Sequence, residues 1–383
     1  MSPGHQGLDQ TLADRLLAAA GLDAIRQKVD AGERLSADDG LLLYEHPDLA
    51  AVGLLAHRVR TRRHGRKVFF NVNQHVNYTN ICQYSCKFCA FAAKEDEPRG
   101  YLMTPAIVEE QVRAHLHEPV DEVHMVAGIH PQMPYEYYLD VVRAAKRARP
   151  AIHVKAFTMV EIDHILKIAG KSEDAVFADL KAAGLGSCPG GGAEVLVDRV
   201  HKAVFREKIS PDEWLATARK VQRHGLKMNA TMLYGHIERT SERVTHLVRL
   251  RELQDECGGF MAFIPLAFWP YHTDLEHYGH VTTGWNDLRN IAVARLMLDN
   301  FHTIKAYWIM LTPASAQIAL SFGANDIDGT VTEEKITHDA GTDAPMRLSE
   351  AELVHLIRTA GYVPVRRNTT YDQEVEVGEA ALG

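Results

Sequence analysis

The sequence predicts an α/β fold, a TIM-type (β/α) barrel of six to eight parallel-strand units with an N-terminal helical extension. From Lys67 onward, short runs rich in β-branched and aromatic residues alternate with longer amphipathic runs over about 250 residues, which is the pattern of repeated βα units. Nearly every glycine, histidine or acidic cluster follows directly after a predicted strand. Since the active sites of βα barrels are built at the carboxyl ends of the strands, this placement favours a barrel over a doubly wound sheet.

We expect three segments in the chain: a helical segment at 1–65, the barrel core at 66–330, and an extension at 331–383 that completes or caps the barrel. The first segment is predicted to be helical because apolar residues recur at helical spacing in 12–22 and again in 49–59. A basic stretch follows the second of these runs and is typical of the end of a helix.

The strands of the core are predicted where short β-rich runs are bounded by turn or helix signals. In chain order they lie at Val68–Asn71, Glu122–Val126, Ile152–Phe157, Lys227–Leu233, Phe260–Ile264 and Ile304–Ile309. Another strand is predicted at Leu185–Cys188, before a glycine run, and an eighth near Ile327 or beyond. Helix starts between the strands are marked by Thr104 and Ser210, since each is an N-cap residue followed by proline.

Composition excludes several classes of protein. The 383 residues carry 42 Lys and Arg against 50 Asp and Glu, a formal charge of −8, so a generally basic nucleic-acid coat is excluded. Hydrophobic residues make up 46% and charged residues 24%, as in a globular protein with a sizeable core. The most apolar stretches, 258–270 and 307–322, are shorter than the roughly 20 residues of a membrane span, and the N-terminus lacks the pattern of a signal peptide. We therefore expect a cytoplasmic protein that binds neither nucleic acid nor a membrane.

Three of the five cysteines, Cys82, Cys86 and Cys89, stand within eight residues in a C-x₃-C-x₂-C pattern. In a reducing compartment such a cluster is more typical of metal binding than of disulfides. Three thiolates can bind Zn²⁺ with a fourth ligand from elsewhere, or three irons of a [4Fe–4S] cluster, which leaves one iron open. No second cysteine pair follows downstream, so the spacing favours the cluster, with a zinc site and a chance grouping as alternatives. Cys188 and Cys257 stand alone and are expected to be small buried apolar side chains.

The segment 82–89, with an aromatic residue just before its last cysteine, resembles the signature of the radical S-adenosylmethionine (SAM) superfamily. The resemblance implies a [4Fe–4S] cluster whose fourth iron is bound by the amino and carboxylate groups of SAM, and whose electron releases a 5′-deoxyadenosyl radical. It also implies positions that bind SAM as co-substrate. These are Phe88 near the adenine, Ala127 and Gly128 at the methionyl amino group, Glu161 at the ribose, and Thr231 and Leu233 at an adenine-binding strand end.

Nearly the whole chain, from about Ala31 to Tyr371, resembles the aminofutalosine synthase family of the futalosine route to menaquinone. Segments similar to that family lie at 70–73, 155–158, 189–194, 230–238, 294–300 and 328–331. Two sibling families share much of this pattern, the dehypoxanthine futalosine cyclase and the deazaflavin-forming subunit of coenzyme F420 biosynthesis. The segment 77–80 is more similar to the cyclase, so these siblings stay open as alternatives. A zinc-binding barrel without redox chemistry is the third hypothesis.

The resemblance to the synthase family implies a transferase reaction on a small molecule. The adenosyl radical adds to the enolpyruvyl double bond of 3-[(1-carboxyvinyl)oxy]benzoate, the aryl group migrates from oxygen to carbon, and carbon dioxide is lost. A low-potential electron donor such as flavodoxin or ferredoxin is also implied. A substrate with two carboxylates calls for fixed cationic donors, ideally arginine side chains. The candidates for catalysis and substrate binding are Lys155, His236 and Arg295, with Arg206 as a further cation.

Overall fold

A computed structural model describes residues 10–278 and 281–378 of the chain. It begins with helices α1 (Gln10–Ala19), α2 (Asp23–Ala31), α3 (Ala37–Glu45) and α4 (Leu49–His64). The side chains of Ser36 and Asp48 cap α3 and α4 by accepting hydrogen bonds from backbone N–H groups of the first turn. The helices that the apolar spacing predicts in this segment are therefore confirmed.

The strands are, in chain order, β1 (Lys67–Asn71), β2 (Asn73–Val76), β3 (Glu122–Met125), β4 (His153–Ala156), β5 (Leu185–Cys188), β6 (Lys227–Tyr234), β7 (Phe260–Ala267), β8 (Thr303–Ile304), β9 (Asp326–Gly329), β10 (Val363–Arg367) and β11 (Glu374–Glu376). One sheet has the order β2-β3-β4-β5-β6-β7-β8, and a second has the order β11-β10-β1-β9. Isolated parallel bridges, from Lys305 to Asp326 and from Gln74 to Thr332, connect the two sheets. The parallel strands therefore follow one another around a TIM-type barrel, as predicted, and the eighth strand near Ile327 is confirmed as β9.

Helices connect the strands, and apolar side chains of helices and strands form the core between them. These helices are α5 (Pro105–Ala114), α6 (Tyr135–Ala148), α7 (Met159–Ile168), α8 (Glu173–Ala183), α9 (Asp198–Val204), α10 (Pro211–Arg223), α11 (Thr240–Cys257), α12 (Gly284–Met297), α13 (Trp308–Leu311), α14 (Pro313–Ala319), α15 (Ile336–Asp339) and α16 (Glu350–Thr359). Short 3₁₀ helices lie at Glu276–Tyr278 and Leu320–Phe322. Thr104 and Ser210 cap α5 and α10 as predicted. None of the helices in the described ranges is both long and apolar enough to cross a membrane.

The first barrel strand is divided between the two sheets, which the sequence did not predict. β1 pairs with β10 and β9, whereas β2 pairs with β3. Val72, between β1 and β2, donates its N–H to the Asp121 carboxylate at 3.0 Å and accepts the N–H of Asp121 at 2.7 Å. Arg366 of β10 binds the same carboxylate at 2.8 Å. β10, which comes from the end of the chain, therefore pairs with β1, whereas β3 pairs with β2.

The strand predicted at Ile304–Ile309 is wrong in its second half. β8 ends at Ile304, and the chain soon turns into α13. The indole N–H of Trp308 donates to the carbonyl oxygen of Gly329 at 2.8 Å, and Tyr307 faces a cavity of the barrel. These tertiary contacts override the strand preference of a β-branched and aromatic run.

Candidate active site at the carboxyl end of the barrel

A cavity of about 300 Å³ opens at the carboxyl ends of the barrel strands. Its walls come from the cysteine loop after β2, from the segment after β3 and from the glycine run after β5. Alternate residues of β6, which share one face of that strand, also line it: Asn229, Thr231 and Leu233. The cavity thus lies on the rim where the sequence placed the glycine, histidine and acidic clusters.

Cys82, Cys86 and Cys89 all line this cavity. Cys188 is fully buried in β5, as expected of an isolated cysteine, whereas Cys257 is only half-buried at the end of α11. The pattern of three cysteines therefore corresponds to three thiols that share one recess of the molecule.

Lys94 holds the cysteine loop in its conformation. Its ammonium group donates to the carbonyl oxygens of Cys82, Gln83 and Tyr84 at distances between 3.0 and 3.3 Å. It also donates to the hydroxyl oxygen of Ser85 at 3.0 Å. Because one cation gathers three carbonyl groups and a hydroxyl, it fixes the path of the loop's backbone.

The donor set of the loop fits a [4Fe–4S] cluster. Each cysteine of such a cluster binds a different iron, so the three sulfurs need not converge on one point. Over residues 10–278 and 281–378, no group of three or more His, Cys, Asp or Glu side chains is arranged to hold a metal ion by itself. Burial raises the pKa of the Cys86 thiol to about 12 and also raises that of Cys89, so binding of a metal centre to these thiols would release their protons. The backbone N–H of Ile129 donates to the sulfur of Cys82 at 3.4 Å.

Five residues that the sequence predicted to bind SAM line the same cavity: Phe88, Ala127, Gly128, Thr231 and Leu233. Gly128 packs directly on the cysteine loop, since a Cβ atom at this position would lie 2.4 Å from the carbonyl oxygen of Ile81. The hydroxyl of Thr231 donates to the carbonyl oxygen of Gly190 at 2.8 Å. The structure brings these five residues together with the three cysteines, and their individual roles stay predictions.

Glu161, predicted to bind the ribose, is fully buried and is not part of the described cavity lining. Its carboxylate accepts hydrogen bonds from the Tyr78 hydroxyl at 2.6 Å and from the N–H and hydroxyl of Thr158 at 2.7 and 2.8 Å. Burial raises the pKa of Glu161 to about 7, against the effect of these hydrogen bonds. Protein donors therefore occupy the carboxylate, which caps the first turn of α7.

His236, predicted to be catalytic, lies just after β6 and outside the described cavity lining. Its Nε2 donates to the carbonyl oxygen of Leu233 at 3.0 Å, and its Nδ1 lies 3.4 Å from the Glu238 carboxylate. Burial lowers the pKa of His236, against the opposing effect of the Glu238 carboxylate. The ring is therefore held by Nε2 at the end of the strand that precedes it.

Lys155 and Arg295, the other predicted catalytic residues, also lie outside the described cavity lining. Lys155 is buried and forms an ion pair with Glu122 of β3 at 2.7 Å. Arg295 donates to the carbonyl oxygen of Gly323 at 2.8 Å and to the side chain of Asn325 at 2.5 Å. Since these two partners directly precede β9, Arg295 lies at the amino ends of the strands and is not brought to the candidate site.

A buried ion pair that the sequence analysis did not find adjoins the cysteine loop. Nζ of Lys208 lies 2.5 Å from Oε1 of Glu194, and both residues line the cavity. The ammonium group also lies 5.3 and 4.9 Å from the ring centroids of Phe88 and Phe205. Burial opposes the charge of Lys208, but Glu194 and the nearby thiols outweigh it and raise the pKa. Glu194 closes the segment 189–194, whereas no sequence signal marked Lys208.

The deep end of the cavity is polar, and the sequence did not predict the residues that form it. His75 of β2 and His124 of β3 stack with their ring centroids 4.5 Å apart and their planes 4° apart. Asp328 of β9 shares the lining and accepts a hydrogen bond from Lys305 at 3.0 Å. Its φ of 69° is a left-handed value, a strain that occurs most often at functional sites. Neither histidine stands out among 21, and Asp328 was noted only as part of the segment 328–331.

Comparison with known families assigns two regions of the chain. A model of the radical SAM superfamily matches residues 76–250, and a model of the CofH/MqnC C-terminal region matches residues 257–379. The first match contains the cysteine loop and most of the cavity walls, and the second contains β9, β10 and α16. Together the two matches cover most of the barrel and the end of the chain.

Known relatives align with nearly the full length of the chain. It is 47% identical to the aminodeoxyfutalosine synthase of Thermus thermophilus, an alignment that covers 92% of this chain and 95% of that one. It is 43% identical to the aminodeoxyfutalosine synthase of Streptomyces coelicolor, over 91% and 92% of the two chains. Identity to the cyclic dehypoxanthine futalosine synthase of Halalkalibacterium halodurans is 32%, over 92% and 94%.

A solved structure supports the fold independently. The FeFe-hydrogenase maturase HydG from Carboxydothermus hydrogenoformans superimposes with a TM-score of 0.70 at 15% sequence identity, over 94% of this chain and 85% of that one. At this identity the likeness concerns the barrel fold alone.

Proposed function

The chain belongs to the radical SAM superfamily and is an enzyme of that type, and we propose that it is an aminodeoxyfutalosine synthase of menaquinone biosynthesis. In the proposed reaction the 5′-deoxyadenosyl group of SAM is joined to 3-[(1-carboxyvinyl)oxy]benzoate. The observation that carries the proposal is 47% identity over 95% of the length of a synthase, against 32% to a cyclic dehypoxanthine futalosine synthase.

The proposed chemistry combines two substrates in one product. When bound, the cluster supplies the electron that cleaves SAM into methionine and a 5′-deoxyadenosyl radical. C5′ of the adenosyl group bonds to the enolpyruvyl methylene carbon, and the aryl group moves from the ether oxygen to the adjacent carbon. The former ether oxygen then becomes a ketone as the carboxyl group on that carbon leaves as the carbon dioxide radical anion, which is oxidised to carbon dioxide by giving up one electron, equal to the one spent on the cleavage of SAM. SAM is therefore consumed, and its adenosyl group stays in the product.

The part of the protein in this reaction is to hold both substrates in contact and to exclude water. We assign Phe88, Thr231 and Leu233 to the adenosine end of SAM, and Ala127 and Gly128 to its methionine end. The support for this assignment is that all five share the cavity with the three cysteines. Backbone without a side chain can approach a ligand closely, which suits a glycine at the methionine end.

Glu161 supports this arrangement indirectly. It accepts hydrogen bonds from Tyr78 and Thr158. Thr158 lines the cavity, so Glu161 acts through Thr158 as a positioning residue for the SAM site.

An electron donor and a compartment complete the proposal. Gln83, Ser85 and Lys87 of the cysteine loop are exposed, so a low-potential donor such as flavodoxin or ferredoxin can approach the cluster from that side. We place the enzyme in the cytoplasm, where reducing conditions keep the cysteines free to bind iron.

The test is anaerobic incubation of the reconstituted enzyme with SAM, a reductant and the enolpyruvyl benzoate, followed by mass analysis. We expect a product that contains both the adenosyl and the aryl groups and lacks one carboxyl group. A sibling enzyme that abstracts hydrogen instead releases free 5′-deoxyadenosine, and that result without the adduct overturns the proposal. The variant Cys86→Ser, which lacks one cluster ligand, serves as the control for product formed without the cluster.

A further inference from the structure

The deep end of the cavity presents a polar ring whose nitrogens form no hydrogen bond with another described residue. This is His75, which is 7% exposed and lines the cavity. Polar groups enclosed in a protein are nearly always hydrogen-bonded, so an uncommitted imidazole that lines a cavity indicates a ligand that accepts a hydrogen bond from it.

The charges around His75 are already paired with one another. Lys155 binds Glu122 at 2.7 Å, and Lys305 binds Asp328 at 3.0 Å. Neither lysine is therefore free to hold a substrate anion without leaving a carboxylate unpaired, which is costly in a buried site. The donor left for an anion at this depth is the uncommitted N–H group of His75.

His124 fixes the orientation of His75. The pairing of β2 with β3 sets the two residues side by side, and their rings stack. Nδ1 of His124 lies 3.6 Å from the carboxylate of Glu122, which is itself held by Lys155 and by the hydroxyl of Thr369 at 2.7 Å. The ring of His124 is thus held by Glu122 on the side away from His75, and His75 faces the cavity.

The depth of His75 decides which part of a substrate can reach it. The cysteine loop follows β2, whereas His75 precedes the end of that strand, so it lies further inside the barrel than the cysteines. The carbon of the proposed substrate that reacts with C5′ must lie near SAM and therefore toward the cysteine loop. The polar group farthest from that carbon is the carboxylate on the aromatic ring.

We propose that His75 binds the ring carboxylate of the substrate, with His124 as a positioning residue. The inference rests on the proposed function, because it names a part of that substrate. It assigns substrate recognition to an uncharged donor at the deep end of the cavity instead of to Lys155, His236 or Arg295.

The test compares two substrates that differ only in the ring carboxylate: 3-[(1-carboxyvinyl)oxy]benzoate and 2-phenoxyacrylate. With the holoenzyme, His75→Leu should lower kcat/KM for the benzoate by about 10- to 100-fold, the factor for one hydrogen bond to a charged group. The same variant should leave kcat/KM for 2-phenoxyacrylate within about twofold of wild type, since that substrate makes no such bond. His75→Gln keeps an N–H donor and should recover part of the loss.

The matched control is His117→Leu, because the side chain of His117 is 72% exposed on the surface. Equal losses for both substrates in His75→Leu, or no loss for the benzoate, overturn the assignment of His75. A wild-type enzyme that forms no adenosyl adduct with the benzoate overturns the proposed function itself. The two failures are therefore distinguished by the wild-type reaction alone.

Discussion

Replacing Gly128 by alanine tests whether the segment after β3 positions the cysteine loop. The backbone N–H of Gly128 donates to the carbonyl oxygen of Thr79 at 2.9 Å, just before the loop. Gly128 is not among the glycines with a left-handed backbone, so the effect of Gly128→Ala comes from the added methyl group alone.

The size of the perturbation follows from the contacts of that methyl group. It would lie 2.4 Å from the carbonyl oxygen of Ile81 and 3.1 Å from Cβ of Cys82. Ordinary contact begins at 3.4 Å, so the backbone beside Cys82 must move by about 1 Å. Metal sites keep their ligand distances within about 0.2 Å, so this shift misplaces one of the three sulfurs. The overpacking itself should cost about 1–3 kcal/mol of stability.

The assay measures iron and sulfide per chain after anaerobic reconstitution, and then the loss of iron to a chelator. Gly128→Ala should hold its cluster about 10- to 100-fold less tightly than wild type, as other changes close behind metal ligands do. Gly284→Ala is the matched control, since its nearest neighbour outside the helix is the Ser315 hydroxyl oxygen at 3.9 Å. Urea unfolding of the cluster-free proteins separates loss of the cluster from loss of the fold. If Gly128→Ala is folded and keeps its iron as wild type does, the proposed coupling of this segment to Cys82 is refuted.

Three further predictions concern the same site. Cys86→Ser should remove the iron and the visible absorbance of the cluster, whereas Cys188→Ser, in the core of β5, should keep both; equal iron in the two variants contradicts the ligand assignment. Lys208→Met leaves Glu194 buried without its partner, which should lower the free energy of unfolding by about 3–5 kcal/mol in urea titrations, and an unchanged midpoint contradicts this. Burial raises the pKa of Glu161 to about 7 from 4.5, so the folded protein holds this proton more tightly than the unfolded chain. That stability is complete below about pH 4.5 and is lost as the pH rises through about 7, by up to about 3 kcal/mol, and Glu161→Gln should flatten this slope between about pH 5 and about pH 8.

The fold could be predicted where local signals and tertiary pairing agree. β3, β6 and β7 are short β-rich runs between amphipathic helices, and the barrel uses them as such. β8 is the contrary case, because the run 304–309 has strand propensity but Trp308 is bonded to Gly329 across the barrel. The division of the first strand also escaped prediction, since it depends on β10, which stands almost 300 residues later in the chain.

The site could be predicted where one short segment carries the chemistry. Cys82, Cys86 and Cys89 are a local pattern, and their spacing is enough to expect a cluster. His75 and Lys208 could not be predicted in this way, because the place of each in the site depends on a partner on another strand or loop. Stacking of His75 on His124 depends on the register of β2 and β3, which no single segment encodes.

Glu161 shows what a residue expected at the nucleoside does when its side chain is enclosed. Its carboxylate caps α7 through the N–H and hydroxyl of Thr158 and accepts a hydrogen bond from the hydroxyl of Tyr78. The residue is 1% exposed and lies outside the described cavity lining, so a ribose in that cavity would reach it only after a change of side-chain conformation. Thr158 does line the cavity, and the carboxylate that fixes Thr158 therefore supports the cavity wall from behind. The contact of Glu161 with a ribose stays a prediction, and support of the wall is the role that these bonds indicate.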